Sequence, residues 1–446
     1  MRILTISAFF PPYTYGGYEI RVGDIMDGLS ARGHKIHVLT TKPDPAMKAA
    51  PKSLPYPVVR RLNCPSRKMR FADRLTTHKL TCWLGIALVF LREITHDIQD
   101  TALIDQEIRS FQPDLLYLGH IMPLTGALMP FLARQALPIV ADEGGKGLIY
   151  SWEDHGLWQR FQAEFPQNSG FKRWVKQAIN RAVRQLSHGL VTQEWAFPAD
   201  IQAFFNSNLN LRNALSSGVP LERTQVIHSG IDLEMFPFKR EKEFGNPLTI
   251  LVPGRIEENK GQLDAVQLGA LLKEKSIPFE LTLVGERWNQ SYTAKVEAEI
   301  QSSGLGNQVR ILPMISREAL VQLFYKADIC FFPSYQRAGF SRIPLEAMAC
   351  GSVIISYGNE GSDEVIRAGE NGFLASEGDV EAISEIISCL MSHPELCAEI
   401  TQNAREIIEI EFSLQVYLSK IENYLNTAVE NLGVRRTAFI ETMVPK

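Results

Sequence analysis

The sequence has little net charge, few cysteines and no long apolar run, and each shortage excludes a class of protein. The formal net charge of −4 over 446 residues argues against non-specific nucleic-acid binding as the main activity. The cysteines lack the close pairs that are typical of metal sites, so we expect them to be reduced and buried, without disulfides or zinc. They are Cys64, Cys82, Cys330, Cys350, Cys389 and Cys397.

The apolar stretch at residues 80–91 leaves two interpretations open. Its twelve residues are too few for a membrane-spanning helix, which needs about 20. Basic residues lie just before it, so it is either a buried helix or a peripheral membrane contact formed by residues 67–91. The amino-terminal MRILTISAFF resembles a β-strand and not a signal peptide. We therefore expect a cytoplasmic protein, either free or associated with a membrane.

Apolar strand patterns alternate with helical patterns along the chain. Such alternation predicts βαβ units and parallel sheets, and 446 residues exceed one ordinary core. We expect two doubly wound, Rossmann-like α/β domains at residues 1–235 and 247–411, joined by the charged, proline-bearing stretch 236–246. A helical tail at residues 412–446 should cross back to the first domain. Ligands of open parallel sheets bind at the carboxyl ends of the strands.

The predicted strands are Arg2–Ser7, Lys35–Thr40, Leu115–Leu118, Pro138–Ala141, Gly189–Thr192, Gln225–His228, Leu248–Val252, Glu280–Val284, Gln308–Leu312, Ile329–Phe332 and Val353–Ser356. The predicted helices include Glu19–Arg32, Ile98–Phe111, Phe171–Leu186, Gln262–Glu274, Arg317–Lys326, Val380–Ser392 and Leu414–Leu425.

The stretch 331–351, FFPSYQRAGFSRIPLEAMACG, predicts a phosphate-binding helix entrance, and from the pattern alone an ordinary strand-to-helix corner is the alternative. After a buried strand, Gly339 lets the backbone approach a ligand closely. Ser341 can cap the following helix, and Pro344 suits its first turn. The unpaired N–H groups and positive dipole end of that helix form an anion site. Glu346, one turn into the helix, can accept hydrogen bonds from sugar hydroxyls.

A second candidate anion loop follows the predicted strand at 248–252. There Arg255 and Lys260 flank a polar loop, and a loop with two cations suits a diphosphate. From spacing alone, ordinary surface ion pairs are the alternative.

These motifs resemble those of the retaining glycosyltransferases of family 4, which have the GT-B fold. The family signature contains Pro-Ser, then Glu-Gly-Phe-Gly, then Leu-Glu-Ala-Met-Ala-x-Gly. The residues that match it are Pro333, Ser334, Gly339, Phe340, Leu345, Glu346, Ala347, Met348, Ala349 and Gly351. The loop pattern Gly-Arg-x-x-x-x-Lys-Gly is matched by Gly254, Arg255, Lys260 and Gly261. Two positions depart from the signature: Ala338 replaces the first glutamate and Ser341 replaces the following glycine.

The resemblance implies two Rossmann-like domains facing each other across a cleft, with the nucleotide sugar on the second domain and the acceptor on the first. It assigns Arg255 and Lys260 to the leaving diphosphate, where they do the work of a metal ion. It assigns Glu346 to the ribose and the segment around Met314 to the nucleobase. It assigns the donor sugar or phosphate to the backbone of residues 339–341, with Phe340 as a pocket wall or a packing residue.

The first domain carries weaker candidates. Gly16 and Gly17 resemble the family's glycine-rich loop, whose backbone N–H groups approach the donor or the acceptor. His120 follows the strand at 115–118, where the family places a histidine in a similar loop; a structural histidine is the alternative. Asp142 and Glu143 follow the next strand and could serve as acceptor base or sugar ligand, or as an ion pair or cap.

Ala338 stands where relatives carry the glutamate that contacts the donor sugar. Three explanations remain open: a natural variant whose donor needs no such ligand, an introduced substitution made to trap a complex, or a protein that binds nucleotide sugar without turnover. In each case, any contact with sugar hydroxyls must come from Arg337 or from the backbone of residues 339–341.

The resemblance predicts a retaining, metal-independent glycosyltransferase that moves a sugar from a nucleotide-diphosphate donor, UDP-hexose before others, to a hydroxyl acceptor. It needs no cofactor beyond this co-substrate. A sugar-nucleotide epimerase on the same fold and a silent nucleotide-sugar-binding protein are the alternatives. The donor sugar, the acceptor and the oligomeric state stay open.

Overall fold

The computed structural model describes residues 1–14, 16–44, 53–63, 82–221, 223–238, 244–336 and 339–443, with the backbone alone at 82–85 and 432–443. The chain divides into two compact units. The first contains Met1–Asn206, Asn210–Ile227 and the chain from Lys420, and the second contains Ser207–Leu209 and His228–Ser419. These units are called the first and second domains below.

The described residues of the first domain build a seven-stranded parallel sheet in the order β3-β2-β1-β4-β5-β6-β7. Its strands are β1 (Arg2–Ser7), β2 (Lys35–Thr41), β3 (Val58–Leu62), β4 (Leu115–Leu118), β5 (Ile139–Glu143), β6 (Gln202–Phe205) and β7 (Arg223–Val226). Every residue of β4, β5 and β6 is buried, because helices cover both faces of a parallel sheet. The strand order reverses between β1 and β4, and ligands bind at such switch points.

The described residues of the second domain build a six-stranded parallel sheet in the order β10-β9-β8-β11-β12-β13. Its strands are β8 (Leu248–Pro253), β9 (Phe279–Val284), β10 (Val309–Leu312), β11 (Ile329–Phe332), β12 (Val353–Ser356) and β13 (Phe373–Leu374). Here the order reverses between β8 and β11. The two loops that carry the sequence motifs therefore leave the sheet side by side.

The helices of the first domain lie between its strands. They are α1 (Gly17–Ala31), α2 (Cys82–Phe111), α3 (Leu128–Leu132), α4 (Gly147–Glu153), α5 (Gly156–Glu164) and α6 (Gly170–Leu186). The helix α7 (Asn208–Ser216) begins in the second domain and ends in the first.

The second domain contains α8 (Gln262–Glu274), α9 (Gln290–Ser302), α10 (Arg317–Lys326), α11 (Ile343–Cys350), α12 (Val380–Ser392) and α13 (Pro394–Glu411). The last helix, α14 (Leu414–Met443), belongs to the second domain up to Ser419 and to the first domain from Lys420. Within the first domain, the Tyr424 hydroxyl donates to the carbonyl oxygens of Ala203 at 3.0 Å and Arg223 at 3.2 Å.

The two parallel sheets confirm the two predicted doubly wound α/β domains, but one predicted strand is wrong. Gly189–Thr192 forms no strand, and β6 occupies the place beside β5. His188 and Gly189 have φ values of 50° and 78°, which turn the chain after α6. Val191 packs instead against Trp158 in a cluster between helices. The strands β3, β6 and β13 were not predicted, because they are short or carry polar residues.

Three further expectations need correction. Phe236, placed in the linker, is buried in the core of the second domain, so this end of the stretch 236–246 is not a linker. Cys389 is exposed, whereas the described Cys330, Cys350 and Cys397 are buried and all four are free. Within α2, residues Ile86, Leu88 and Leu91 are 48%, 47% and 60% exposed, so this face of the apolar stretch is not buried.

Residues 64–81, which hold the basic part of the predicted membrane contact, lie outside the described residues. In the described part of the chain, each helix is too short or too polar to span a bilayer.

Candidate functional site

The loop after β8 is shaped by close backbone packing against the loop after β11. Gly261 has a φ of 65°, and a Cβ built on it would lie 2.1 Å from the carbonyl oxygen of Pro333. Gly285, after β9, is equally confined, since its Cβ would lie 2.0 Å from the carbonyl oxygen of Gly254. Only glycine fits either position. The loop that carries Arg255 and Lys260 is therefore held between its two neighbours.

The Arg255 guanidinium lies at the edge of this loop. Its Nη2 pairs with Glu257 Oε1 at 2.9 Å, and its Cζ lies 4.7 Å above the centre of the Trp288 ring. The Arg255 side chain is 42% exposed, whereas that of Glu257 is 13% exposed. The exposed guanidinium can contact a ligand phosphate while it stays stacked on the Trp288 ring.

The Lys260 ammonium lies deeper and touches both neighbouring loops. Its Nζ forms an ion pair with the Glu360 carboxylate and lies 3.4 Å from Ser334 Oγ. Its side chain is 13% exposed. Ser334 follows β11 and Glu360 follows β12, so three loops at the carboxyl edge of the sheet meet at one ammonium group.

The signature loop leads into α11 largely as its sequence predicts. Gly339 has a φ of 97°, and Ser341 Oγ accepts from the Ile343 N–H at 3.3 Å. The residue at the N-cap position is Arg342, not Ser341, because the helix begins one residue later than predicted. Pro344 lies in the first turn. Arg337 and Ala338, which carry the departure from the family signature, lie outside the described residues.

Glu346 lies in the first turn of α11, with a side chain that is 12% exposed. Its Oε1 is 3.9 Å from Arg342 Nε. Phe340 packs against the His228 ring, with ring centres 5.0 Å apart. Met314, in the segment after β10, is 75% exposed. Nothing in the described structure joins Met314 to the Lys260 cluster.

His228, predicted as the end of a strand, lies two residues after β7 ends at Val226. Its Nε2 is 2.7 Å from Glu364 Oε2, which also accepts from the Asn208 backbone N–H at 2.9 Å. Burial raises the pKa of Glu364, but the hydrogen bonds from His228 and Asn208 outweigh burial, so the pKa is lowered overall. This cluster joins the short Ser207–Leu209 segment to the rest of the second domain.

In the first domain, one carboxylate joins the glycine loop to His120. Glu19 Oε2 accepts from the Gly16 N–H at 2.8 Å, and Glu19 Oε1 lies 2.8 Å from His120 Nδ1. Tyr18 stacks on the His120 ring at 5.2 Å, while Gly16 and Gly17 are exposed. The contact to Nδ1 leaves Nε2 as the ring nitrogen for other partners. Glu19 was not predicted from the sequence, although a glutamate at the third position of a helix is part of the capping-box signal.

Asp142 and Glu143 are both fully buried at the end of β5. Asp142 Oδ1 pairs with Arg21 Nη2 at 2.5 Å, and its Oδ2 accepts from the Tyr117 hydroxyl at 2.7 Å. Burial raises the pKa of Glu143 to about 8, against backbone N–H donors at Gly147 and Leu148. Among the described residues, its Oε2 has no hydrogen-bond partner. Both carboxyl groups are inside the domain and not on a ligand-facing surface.

A cavity of ≈ 320 Å³ lies beyond the carboxyl ends of β4 and β5 in the first domain. The polar residues in its wall include Glu93, Asp97, Thr125, Tyr150, Asp154 and Arg160. Burial raises the pKa of Asp97 to about 7, although the Thr125 hydroxyl donates to it. The sequence analysis did not find this cavity, because its wall combines residues far apart in the chain.

Comparison with known proteins finds a family model that matches part of the chain, within the second domain. Residues 236–407 match the family model described as Glycosyl transferases group 1. The amylovoran biosynthesis glycosyltransferase AmsK of Erwinia amylovora is 28% identical over 224 residues, which are 49% of this chain and 54% of AmsK. This chain thus aligns with about half the length of that relative. Glycogen synthase of Mycobacterium tuberculosis is 22% identical over 93% of this chain and 92% of its own length.

Solved structures show the fold. The crystal structure of Anabaena HepE in complex with UDP-glucose superposes with a TM-score of 0.60 and 18% identity, covering 96% of this chain and 100% of that one. At this identity the likeness concerns the fold, which is the two-domain GT-B fold.

Proposed function

We propose that this chain is a retaining glycosyltransferase that uses UDP-hexose, because residues 236–407 match the family model described as Glycosyl transferases group 1. The observation that carries the proposal is the position of Arg255 and Lys260. Both cations lie at the switch point of the second sheet, beside the loop that enters α11. Helix entrances and paired cations are the usual means of binding a diphosphate. UDP and UDP-glucose complexes of HepE support the choice of base.

The reaction needs stabilisation of charge on the leaving group and no protein nucleophile. The bond between the anomeric carbon and the diphosphate oxygen breaks, and the acceptor oxygen bonds to the same face of that carbon. The acceptor proton passes to the departing phosphate oxygen. Arg255 and Lys260 stabilise the charge that develops on the diphosphate, the role that a divalent ion has in other transferases. The nucleotide sugar is a co-substrate, and we propose no metal or further cofactor.

Two residues complete the proposed nucleotide site. Glu346, in the first turn of α11, accepts hydrogen bonds from the ribose hydroxyls, and the segment around Met314 contacts the base through its backbone. The exposure of Met314 leaves that segment accessible to a ligand.

We place the acceptor in the cavity of the first domain. Its wall combines carboxyl groups, a tyrosine and an arginine, which are suited to binding sugar hydroxyls. His120 and the Gly16–Gly17 loop, at the ends of β4 and β1, contribute the remaining polar contacts. An acceptor that is neutral or positively charged fits a wall in which carboxylates are the more numerous charges.

The test combines binding with turnover. UDP, GDP and ADP are compared by the rise in melting temperature that they cause, since a ligand that binds the native state stabilises it by mass action. UDP should stabilise the chain, and Arg255→Ala and Lys260→Ala should each reduce the effect. Lys273→Ala is the matched control, because Lys273 is an exposed lysine of α8 that bonds the carbonyl oxygen of Gly304 at 2.9 Å. Stabilisation by no nucleotide would contradict the proposal.

Turnover separates the transferase from its rivals. UDP release from UDP-glucose is measured with and without a panel of sugar glycosides as acceptors. A transferase releases UDP faster with one of the acceptors, an epimerase converts the sugar without releasing UDP, and a silent binding protein does neither.

We also propose that the first domain contacts an anionic membrane surface. The helix α6 has Phe171 and Trp174 exposed at 72% and 63%, and its sequence GFKRWVKQAINRAVRQL contains five basic residues and no acidic one. It packs on α2 through Ile179 and Val183, and α2 adds the exposed Ile86, Leu88 and Leu91. Apolar side chains flanked by lysine and arginine suit anionic lipids, with about 1 kcal/mol per basic residue near the surface.

Vesicle co-sedimentation tests the membrane contact. The chain should bind vesicles that contain phosphatidylserine, bind pure phosphatidylcholine less, and dissociate in high salt. The double substitution Phe171→Asp with Trp174→Asp should abolish binding. Leu215→Asp, a change at an exposed apolar residue of α7, should not. Equal binding by the double variant would overturn this proposal and leave the transferase proposal untouched.

A further inference from the structure

Glu360 has a backbone conformation that is unusual for its residue type and place. Among the described non-glycine residues, four have a left-handed φ, and three of them lie one or two residues after the end of a helix: Gln112, His188 and Ser276. Glu360, with a φ of 52°, follows no helix and lies in the loop after β12. This conformation costs a residue with a Cβ about 1–2 kcal/mol, so the surrounding contacts must hold it.

Those contacts join Glu360 to both sides of the signature loop. Its N–H donates to the carbonyl oxygen of Gln336 at 3.0 Å, and its carbonyl oxygen accepts from the Ser341 N–H at 3.0 Å. Gln336 and Ser341 bracket the residues 337–338. The backbone of Glu360 is therefore bonded on either side of the position where the family signature has its first glutamate and this chain has Ala338.

The side chain of Glu360 points to the phosphate-binding cation. Its Oε1 forms the ion pair with Lys260 and accepts from the Ser334 hydroxyl at 2.8 Å. Glu360 is 7% exposed. The neighbouring Asn359 fixes the same loop, because its Nδ2 donates to the Ser334 carbonyl oxygen at 2.7 Å. A carboxylate is thus held next to the lysine by two independent connections to the signature loop.

We propose that Glu360 supplies the donor-sugar carboxylate that the signature lacks at Ala338. This inference rests on the proposed function, because it places the donor diphosphate at Lys260. In the donor, the sugar is bonded directly to the phosphate that Lys260 would hold. A carboxylate that contacts Lys260 therefore lies close enough to that phosphate to reach the hydroxyls of the attached sugar ring. Once the diphosphate neutralises the ammonium, the sugar hydroxyls are neutral donors that replace the lysine as partners of Glu360.

A purely structural role for Glu360 makes a different prediction. If Glu360 only positioned Lys260, its removal would lower the affinities for UDP and for UDP-sugars by the same factor. If Glu360 only competed with phosphate for Lys260, its removal would raise both affinities by the same factor. A sugar ligand changes the ratio of the two affinities, which is the quantity to measure.

The experiment compares Glu360→Gln with the wild-type chain by calorimetry, using UDP, UDP-glucose, UDP-galactose and UDP-N-acetylglucosamine. For the sugar that the wild type prefers, the affinity relative to UDP should fall about tenfold or more in Glu360→Gln, the usual effect of losing a hydrogen bond to a charged group. UDP itself should bind equally well or more tightly. Glu297→Gln, which removes an exposed partner of Arg287 in the same domain, should leave the ratio unchanged.

A second variant moves the carboxylate back into the signature. In the double substitution Ala338→Glu with Glu360→Gln, the ratio of UDP-sugar to UDP affinity should recover toward its wild-type value. Retained UDP binding shows in each case that the variant is folded.

The two proposals fail in different ways. If the wild-type chain binds neither UDP nor a UDP-sugar, the proposed function with this donor fails, and the role of Glu360 fails with it. If the wild type binds both and Glu360→Gln changes their affinities by one common factor, the proposed function stands and the role of Glu360 is overturned.

Discussion

The two domains place their charged candidates at the same edge of similar sheets but in different environments. In the second domain, the Arg255 and Lys260 side chains are 42% and 13% exposed and are paired with Glu257 and Glu360. In the first domain, the Asp142 side chain is 0% exposed and closed in by Arg21 and Tyr117. A partly exposed cation can exchange its internal partner for a ligand, whereas a fully enclosed carboxylate cannot without local unfolding.

This difference teaches how to read strand-end charges in such sheets. The two cations of the second domain and Asp142 of the first domain all lie at the carboxyl ends of strands. Position alone therefore does not separate a ligand-binding group from a structural one. Burial and the completeness of the internal partners separate them. On these grounds we propose that the second domain's cations bind the ligand and that Asp142 has a structural role.

The largest effect should come from breaking the buried ion pair of the first domain. Asp142→Asn leaves the Arg21 guanidinium without its carboxylate, and losing one partner of a buried pair typically costs about 3–5 kcal/mol of unfolding free energy. Chemical denaturation measures it. Asp105→Asn, at an exposed pair with Arg109 on α2, should cost far less. A fully stable Asp142→Asn chain with no turnover would make Asp142 a catalytic group instead.

The next effect concerns His120, the partly exposed group of the first domain. Its side chain is 18% exposed, and Glu19 holds its Nδ1. If it acts on substrate, His120→Ala should lower turnover about 100-fold, as the loss of a positioned acid–base or polar group does. The affinity for UDP should not change, because the proposed UDP site lies in the second domain. A loss of UDP affinity equal to that of Lys260→Ala would contradict the division between domains.

The last effect is a dependence of stability on pH, carried by Glu143. Burial raises its pKa from 4.5 to about 8, so the folded chain binds a proton that the unfolded chain has lost between these pH values. Its contribution to stability is complete below about pH 4.5 and is lost as the pH rises toward 8, by up to about 1.4 kcal/mol per pH unit. Glu143→Gln has the shape of the protonated carboxyl group but cannot ionise, so its stability does not fall with pH for this reason. The variant should therefore gain stability over the wild type as the pH rises, and a constant difference would contradict the raised pKa.

How much of this was predictable from the sequence differs between the domains. The strands at 329–332 and 353–356 and the entrance of α11 were predicted, because apolar runs, Gly339 and Pro344 are local signals. The Lys260–Glu360 pair was not, since its partners lie 100 positions apart and a single sequence contains no record of that contact. The burial of Asp142 could not be predicted either, because its partner Arg21 lies on α1, 121 positions earlier in the sequence.

The false strand at 189–192 has a local cause. Its apolar residues fit a strand pattern, but the left-handed residues at 188 and 189 turn the chain, and the polar Gln202 begins the strand that pairs with β5 instead. Tertiary pairing decided between two short segments of similar propensity.

The central claim is that Lys260 in the second domain binds the donor diphosphate. The most direct measurement is the dissociation constant of UDP by calorimetry for the wild type, Lys260→Ala and the control Lys273→Ala. We expect UDP to bind the wild type and the control equally well. Lys260→Ala should weaken UDP binding at least about tenfold, because a charge-assisted contact is lost. An unchanged dissociation constant in Lys260→Ala would contradict it.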